Sequence, residues 1–158
     1  MQKIVPFLWY EDKAEEAVNL YISLFKNSEI TNIKRYGPDA PFPEGFPFVI
    51  EFTLDGQEYI AMNAGPHTEF TDAVSMMVYC DDQEEVDRLW EALLADGGQE
   101  QACGWVTDKF GLRWQITPTV LMEMMKDPDT EKADRATQAM LKMIKLDIAE
   151  LQRAFDGN

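Results

Sequence analysis

Residues 48–80 read FVIEFTLDGQEYIAMNAGPHTEFTDAVSMMVYC, and the order of elements within them decides the fold. Residues 48–54 and 58–63 are rich in β-branched and aromatic side chains and flank Asp55-Gly56, a dipeptide suited to a tight hairpin turn. Ala64-Gly65-Pro66 then breaks the pattern. Residues 73–80 open a new strand that is apolar on both sides, as expected where a strand is covered on both faces. The stretch holds the end of one module and the start of another.

The upstream segment completes the first module. Residues 3–10 read as a strand, with Val5, Phe7 and Trp9 on one side and Pro6, Leu8 and Tyr10 on the other. Asp12 is the expected cap of a helix whose buried stripe is Ala14, Ala17, Val18, Tyr21, Ile22, Leu24 and Phe25, with Glu15 and Glu16 in its first turn. A strand over residues 30–36 follows. Residues 37–47, with four prolines and two glycines, form an irregular loop.

The downstream segment repeats this order. After the strand at 73–80 comes a helix over 83–95, with Val86, Leu89, Trp90, Leu93 and Leu94 as its apolar stripe. Gly97-Gly98 ends it. Short strands are expected at 99–101, 103–107 and 113–117, the last two joined by Asp108-Lys109-Phe110-Gly111. The predicted fold is α+β: two βαβββ modules, residues 1–64 and 72–118, in a domain spanning 1–118.

Residues 119–158 form a helical extension. Residues 119–126 are helical, and Asp127-Pro128 supplies a cap with proline at the first helical position. Ala133, Ala136, Met140, Met143, Ile144, Leu151 and Phe155 recur at helical spacing. Met122, Met124, Met125, Met140 and Met143 belong to this pattern. They are read as helix packing, on the domain or on a second subunit, and not as a metal site.

Charge narrows the partners. With 29 acidic and 14 basic residues the chain carries −15. That field repels phosphate backbones and anionic lipid surfaces, so neither nucleic acid nor membrane is an expected partner. The start of the sequence lacks a basic segment followed by a long apolar run, and a cytoplasmic protein is expected. Cys80 and Cys103 are then expected as free thiols.

Several strings narrow the family. They are Met62-Asn63-Ala64-Gly65-Pro66-His67, Gln83-Glu84-Glu85-Val86-Asp87, residues 103–111, Trp114-Gln115-Ile116, Asp127-Pro128-Asp129, and the tail from Ala139-Met140-Leu141-Lys142-Met143 to Asp147-Ile148-Ala149. In this order they resemble the PhnB-like branch of the vicinal oxygen chelate superfamily, which includes glyoxalase I, extradiol dioxygenases and antibiotic-resistance proteins. Members of the branch are often labelled demethylubiquinone methyltransferase-like. The resemblance implies a curved sheet, a concave binding face and a homodimer.

It also implies where a metal would sit. Metal-dependent relatives place His and Glu ligands on four strands. The corresponding positions here are Val5 or Pro6, Met62 or Asn63, Ser75, and Gln115, four residues after Gly111. None supplies a strong ligand, so no metal and no cofactor are expected. His67 is either a polar loop residue or an acid–base group facing a ligand. No catalytic residue is assigned.

The remaining candidates are pocket-lining or core-filling groups. Phe7, Trp9, Asn63 and Phe70 are expected from the first module and the connection. Ser75, Met77 and Tyr79 share strand parity, and Cys103, Trp105 and Gln115 complete the set. This lining suits a small, partly apolar molecule held by a few hydrogen bonds. Glyoxalase- or dioxygenase-type chemistry, or the methyl transfer of the family label, is the enzymatic alternative. A structural or regulatory homodimer without a ligand is the other.

Overall fold

A computed structural model describes residues 1–158 as two compact units, Met1–Glu69 and Phe70–Asn158. In the first, β1 (Phe7–Tyr10), α1 (Ala14–Leu24), β2 (Glu29–Arg35), β3 (Pro47–Leu54) and β4 (Gln57–Asn63) form a sheet of order β1-β4-β3-β2. β1 runs parallel to β4, and the other pairs are antiparallel. In the second, β5 (Ser75–Cys80), α2 (Gln83–Leu94), β6 (Gln99–Glu100), β7 (Trp105–Thr107) and β8 (Arg113–Pro118) repeat that connectivity as β5-β8-β7-β6. Again the first and last strands are the parallel pair. The duplication read from the sequence is present in both topology and strand direction, and the fold is α+β.

Each sheet buries one face under one helix. In the first unit α1 packs on β3 and β4, and Ala14, Ala17, Val18 and Tyr21 meet Ile50, Phe52 and Ala61, all at or near zero exposure. In the second, Val86, Leu89 and Leu93 of α2 lie over the face that carries Val106, Trp114 and Ile116. Alternation then fixes which residues remain on the uncovered face.

The hairpin turn is tight because Asp55 and Gly56 both take positive φ, 48° and 79°. A Cβ on Gly56 would stand 2.8 Å from the amide of Asn27. The second hairpin is organised by Asp108, which is 2% exposed. Its Oδ1 accepts from the N–H groups of Phe110 and Leu112, and its Oδ2 accepts from Trp114 Nε1 at 2.9 Å.

Three expectations change. β1 starts at Phe7, not residue 3, because Pro6 has no N–H to extend the ladder. The carboxamide of Gln2 bridges to the backbone of Glu58 instead. Asp12 does not cap α1; the cap position is Lys13, without a side-chain bond, and Ala14 N–H donates to Asn63 Oδ1 at 2.8 Å. Asp127 is not the cap of α4 (Thr130–Leu141) either. Asp129 caps it, while Asp127 Oδ1 accepts from Asp129 N–H and shapes the entry.

The tail helices α3 (Thr119–Met125), α4 and α5 (Ile148–Asp156) have a core of their own, built on Leu121, Met124, Ala136, Leu146 and Leu151. Met140, Met143 and Phe155 pack against it. The helical spacing is broken between α4 and α5, where the carbonyls of Met143 and Ile144 accept from Cys103 N–H and Gly104 N–H at 2.8 Å each. Gln83, at the start of α2, donates to Leu146 O and accepts from Ile148 N–H, which fixes the break in place.

Asn63→Ala tests the long-range cap. It removes the acceptor for Ala14 N–H and the donor to Pro47 O, both buried. Urea unfolding is expected to show a loss of about 2–3 kcal/mol. A change below about 0.5 kcal/mol would contradict this role.

Candidate functional site

The uncovered face of the second sheet carries a compact group of polar and apolar side chains. The register pairs Gln115 with Met77 on one side and with Trp105 on the other. Ser75 pairs with Arg113, and Tyr79 with Thr117, on the same face. Gln115 Nε2 donates to Ser75 Oγ at 2.8 Å. Met77 and Tyr79 are 42% and 56% exposed, so large apolar groups stand open beside this polar pair.

The charge at one end of this face is neutralised within the unit. Arg113 Nε donates to Asp72 Oδ1 at 2.8 Å, and its Nη1 donates to Phe70 O and Gly111 O. The Arg113 and Gln101 side chains hydrogen-bonded to Asp72 hold its carboxyl below the ordinary carboxylate range. Thr107 donates to Gln101 Oε1 at 3.0 Å. Arg113 escaped the sequence reading, although its parity with Gln115 gives it the same face; its partner Asp72 had no sequence signal.

The first unit has its own uncovered face. Phe7 and Trp9 of β1 stand beside Ile60 and Met62 of β4, and Val49 of β3 pairs with Met62. Trp9 Nε1 donates to Gly65 O at 3.0 Å, and the His67 ring meets Trp9 edge-on at 6.2 Å. His67 is exposed.

The expected lining residues divide between the two units. Ser75, Met77, Tyr79, Trp105 and Gln115 come together on one face. Phe7 and Trp9 share the open face of the other unit. Asn63 lies on the opposite, helix-covered face, 1% exposed, with its amide committed to Ala14 and Pro47. Cys103 sits in the loop before β7 at φ 61°, its N–H bonded to Met143 O, and Phe70 is tied to Arg113 through its carbonyl.

The family profile described as 3-demethylubiquinone-9 3-methyltransferase matches residues 2–117. The chain belongs to this family. Among solved structures, a PhnB protein from Bacillus cereus is 39% identical, covers 75% of this chain and 100% of that chain, and has a TM-score of 0.70. A Staphylococcus aureus protein is 34% identical over 73% of this chain and 94% of that chain, with a TM-score of 0.34. Protein PA1353 from Pseudomonas aeruginosa, at 22% identity and a TM-score of 0.59, covers 72% of this chain and 95% of that chain, and shares the fold. No curated protein matches the chain. The PhnB-like resemblance drawn from the motif strings is thus a family relationship.

The family description implies a methyl donor, and the chain does not fit it. S-adenosylmethionine sites of the doubly wound type need a glycine-rich turn between a first parallel strand and its helix. Here β1 passes to α1 through Glu11-Asp12-Lys13, and each sheet contains a single parallel pair. The divalent ion of metal-dependent relatives fits no better. No three His, Cys, Asp or Glu side chains converge where an ion would sit. Ser75 and Gln115 are neutral and bonded to each other, and Val5, Pro6 and Met62 offer no charge.

The thiols differ in setting. Burial pushes Cys80 up to about 12, with Glu85 adding to the shift, so it stays protonated through the physiological range. Iodoacetamide at pH 8 is expected to leave Cys80 unlabelled in the folded protein and to modify it in urea, as read by mass spectrometry. Rapid labelling of Cys80 in the native state would contradict the burial.

Proposed function

We propose that this PhnB-like protein binds a small, partly apolar molecule on the open face of its second sheet without a metal ion. The observation that carries the proposal is the Ser75–Gln115 hydrogen bond, on a face where Gln115 pairs with Met77 on one strand and Trp105 on the other. A carboxylate at position 115 would attract a cation; an amide bonded to a hydroxyl instead offers directional, uncharged contacts. Apolar groups left in water beside a few polar atoms are the usual composition of a ligand site.

Two measurements test this reading. Elemental analysis of protein purified without chelators is expected to find far less than one divalent ion per chain. A stoichiometric ion held by side chains would contradict metal independence. The neutral probe N-phenyl-1-naphthylamine is expected to bind with rising fluorescence, and Trp105→Ala to weaken it about tenfold through lost stacking area. Equal binding by the variant would place the probe elsewhere.

Self-association belongs to the same proposal. Phe7, at 53% exposure, leaves apolar surface on the first sheet that a second copy would cover. Light scattering at micromolar concentration is expected to give twice the chain mass of 18.1 kDa. A strict monomer would contradict the dimer while leaving the ligand reading to its own test.

A further inference from the structure

We propose that the molecule bound at Ser75 and Gln115 is a neutral, planar compound with a carboxamide-type edge, such as a primary amide or a lactam, and not an anion. This rests on the reading of that face as a binding site and adds its chemical class.

The argument begins with unused hydrogen-bonding capacity. Gln115 directs one amide hydrogen to Ser75 Oγ. A carboxamide has two N–H donors and a carbonyl that accepts, so one N–H and the Gln115 Oε1 remain for a ligand. No buried side-chain polar atom of the chain lacks a partner, so Gln115 Oε1, which accepts from no protein group, is not sealed from solvent. The Ser75 hydroxyl also keeps its hydrogen. A donor and an acceptor side by side on one planar group match a second group with the same pair reversed. An amide or lactam edge supplies that match through two parallel N–H···O bonds.

Flanking groups set shape. Trp105 and Met77 occupy the positions on either side of Gln115 in the ladder, and both are incompletely buried. An indole ring and a thioether favour a flat, polarizable ligand body.

Charge sets the sign. Arg113 is the one cation on this face of the three strands β5, β7 and β8, and its guanidinium is engaged by Asp72 and by two carbonyls. Three of its five N–H groups are taken, and the Asp72 carboxylate offsets its charge. A carboxylate would also oppose its lone pairs to Gln115 Oε1, within a chain of net charge −15.

The test compares benzamide with benzoate, which share ring and size, by tryptophan fluorescence titration at 0.15 M salt, where the general field is screened beyond about 8 Å. Benzamide is expected to bind at least about tenfold more tightly than benzoate. Gln115→Met, close in volume, is expected to lose about tenfold in benzamide affinity while keeping N-phenyl-1-naphthylamine. Gln115→Glu provides a second variant with the same expected loss for benzamide, its fold checked by thermal melting. Benzoate binding as well as benzamide, or benzamide unaffected in both variants, overturns the assignment. Failure of N-phenyl-1-naphthylamine to bind the unsubstituted protein would instead remove the binding face itself.

Discussion

A four-stranded sheet is about 14 Å across between its outer strands, and each sheet here is covered by one helix about 10 Å wide. One helix can bury one face only. α1 and α2 each bury one face of their sheet, and strand alternation leaves the other face to whatever the sequence places there. On the second sheet that remainder is Ser75, Met77, Tyr79, Trp105, Arg113 and Gln115. A one-residue slip of β8 would exchange Gln115 for Trp114 or Ile116 and bury an amide under α2. The register therefore protects both the core and the site.

The register is in turn held by polar groups buried at strand ends. Asp108 gathers two backbone N–H groups and the Trp114 indole, so the β7–β8 turn and the buried indole are fixed by one carboxylate. In the first unit Asn63 connects the end of β4 to the start of α1 and to the start of β3. Such groups contribute through satisfaction: each would cost a few kcal/mol if left unpaired, so the arrangement that pairs them all is strongly preferred. The open face follows different rules. Its polar atoms remain partly unused, and the family description of a methyltransferase finds neither a glycine-rich turn nor a charged ligand set to support it.

Much of this was legible in the sequence. Repetition of element order gave the two βαβββ units, and period-two alternation put Ser75, Met77 and Tyr79 together. The family resemblance, which places a metal ligand four residues after Gly111, picked out Gln115. The unread parts depend on partners distant in the chain. The choice between Met62 and Asn63 turned on which face meets α1, and the Asn63 side chain caps a helix 49 residues earlier. Similarly, the break between α4 and α5 is held by Cys103 and Gly104, which no local helical pattern can report. Asp127 was the expected cap; the residue before proline is biased toward extended backbone, and Asp129 reached the helix N–H groups instead.

The central claim is that the open face of the second sheet is the ligand site and recognises a neutral amide edge. Backbone amide NMR shifts recorded during a benzamide titration test it most directly. The account predicts perturbations concentrated in β5, β7 and β8, at residues 75–79, 105–107 and 113–117, with the outer turns of α2 unmoved. Perturbations centred on α2 or on the tail helices, with β5 and β8 silent, would contradict it.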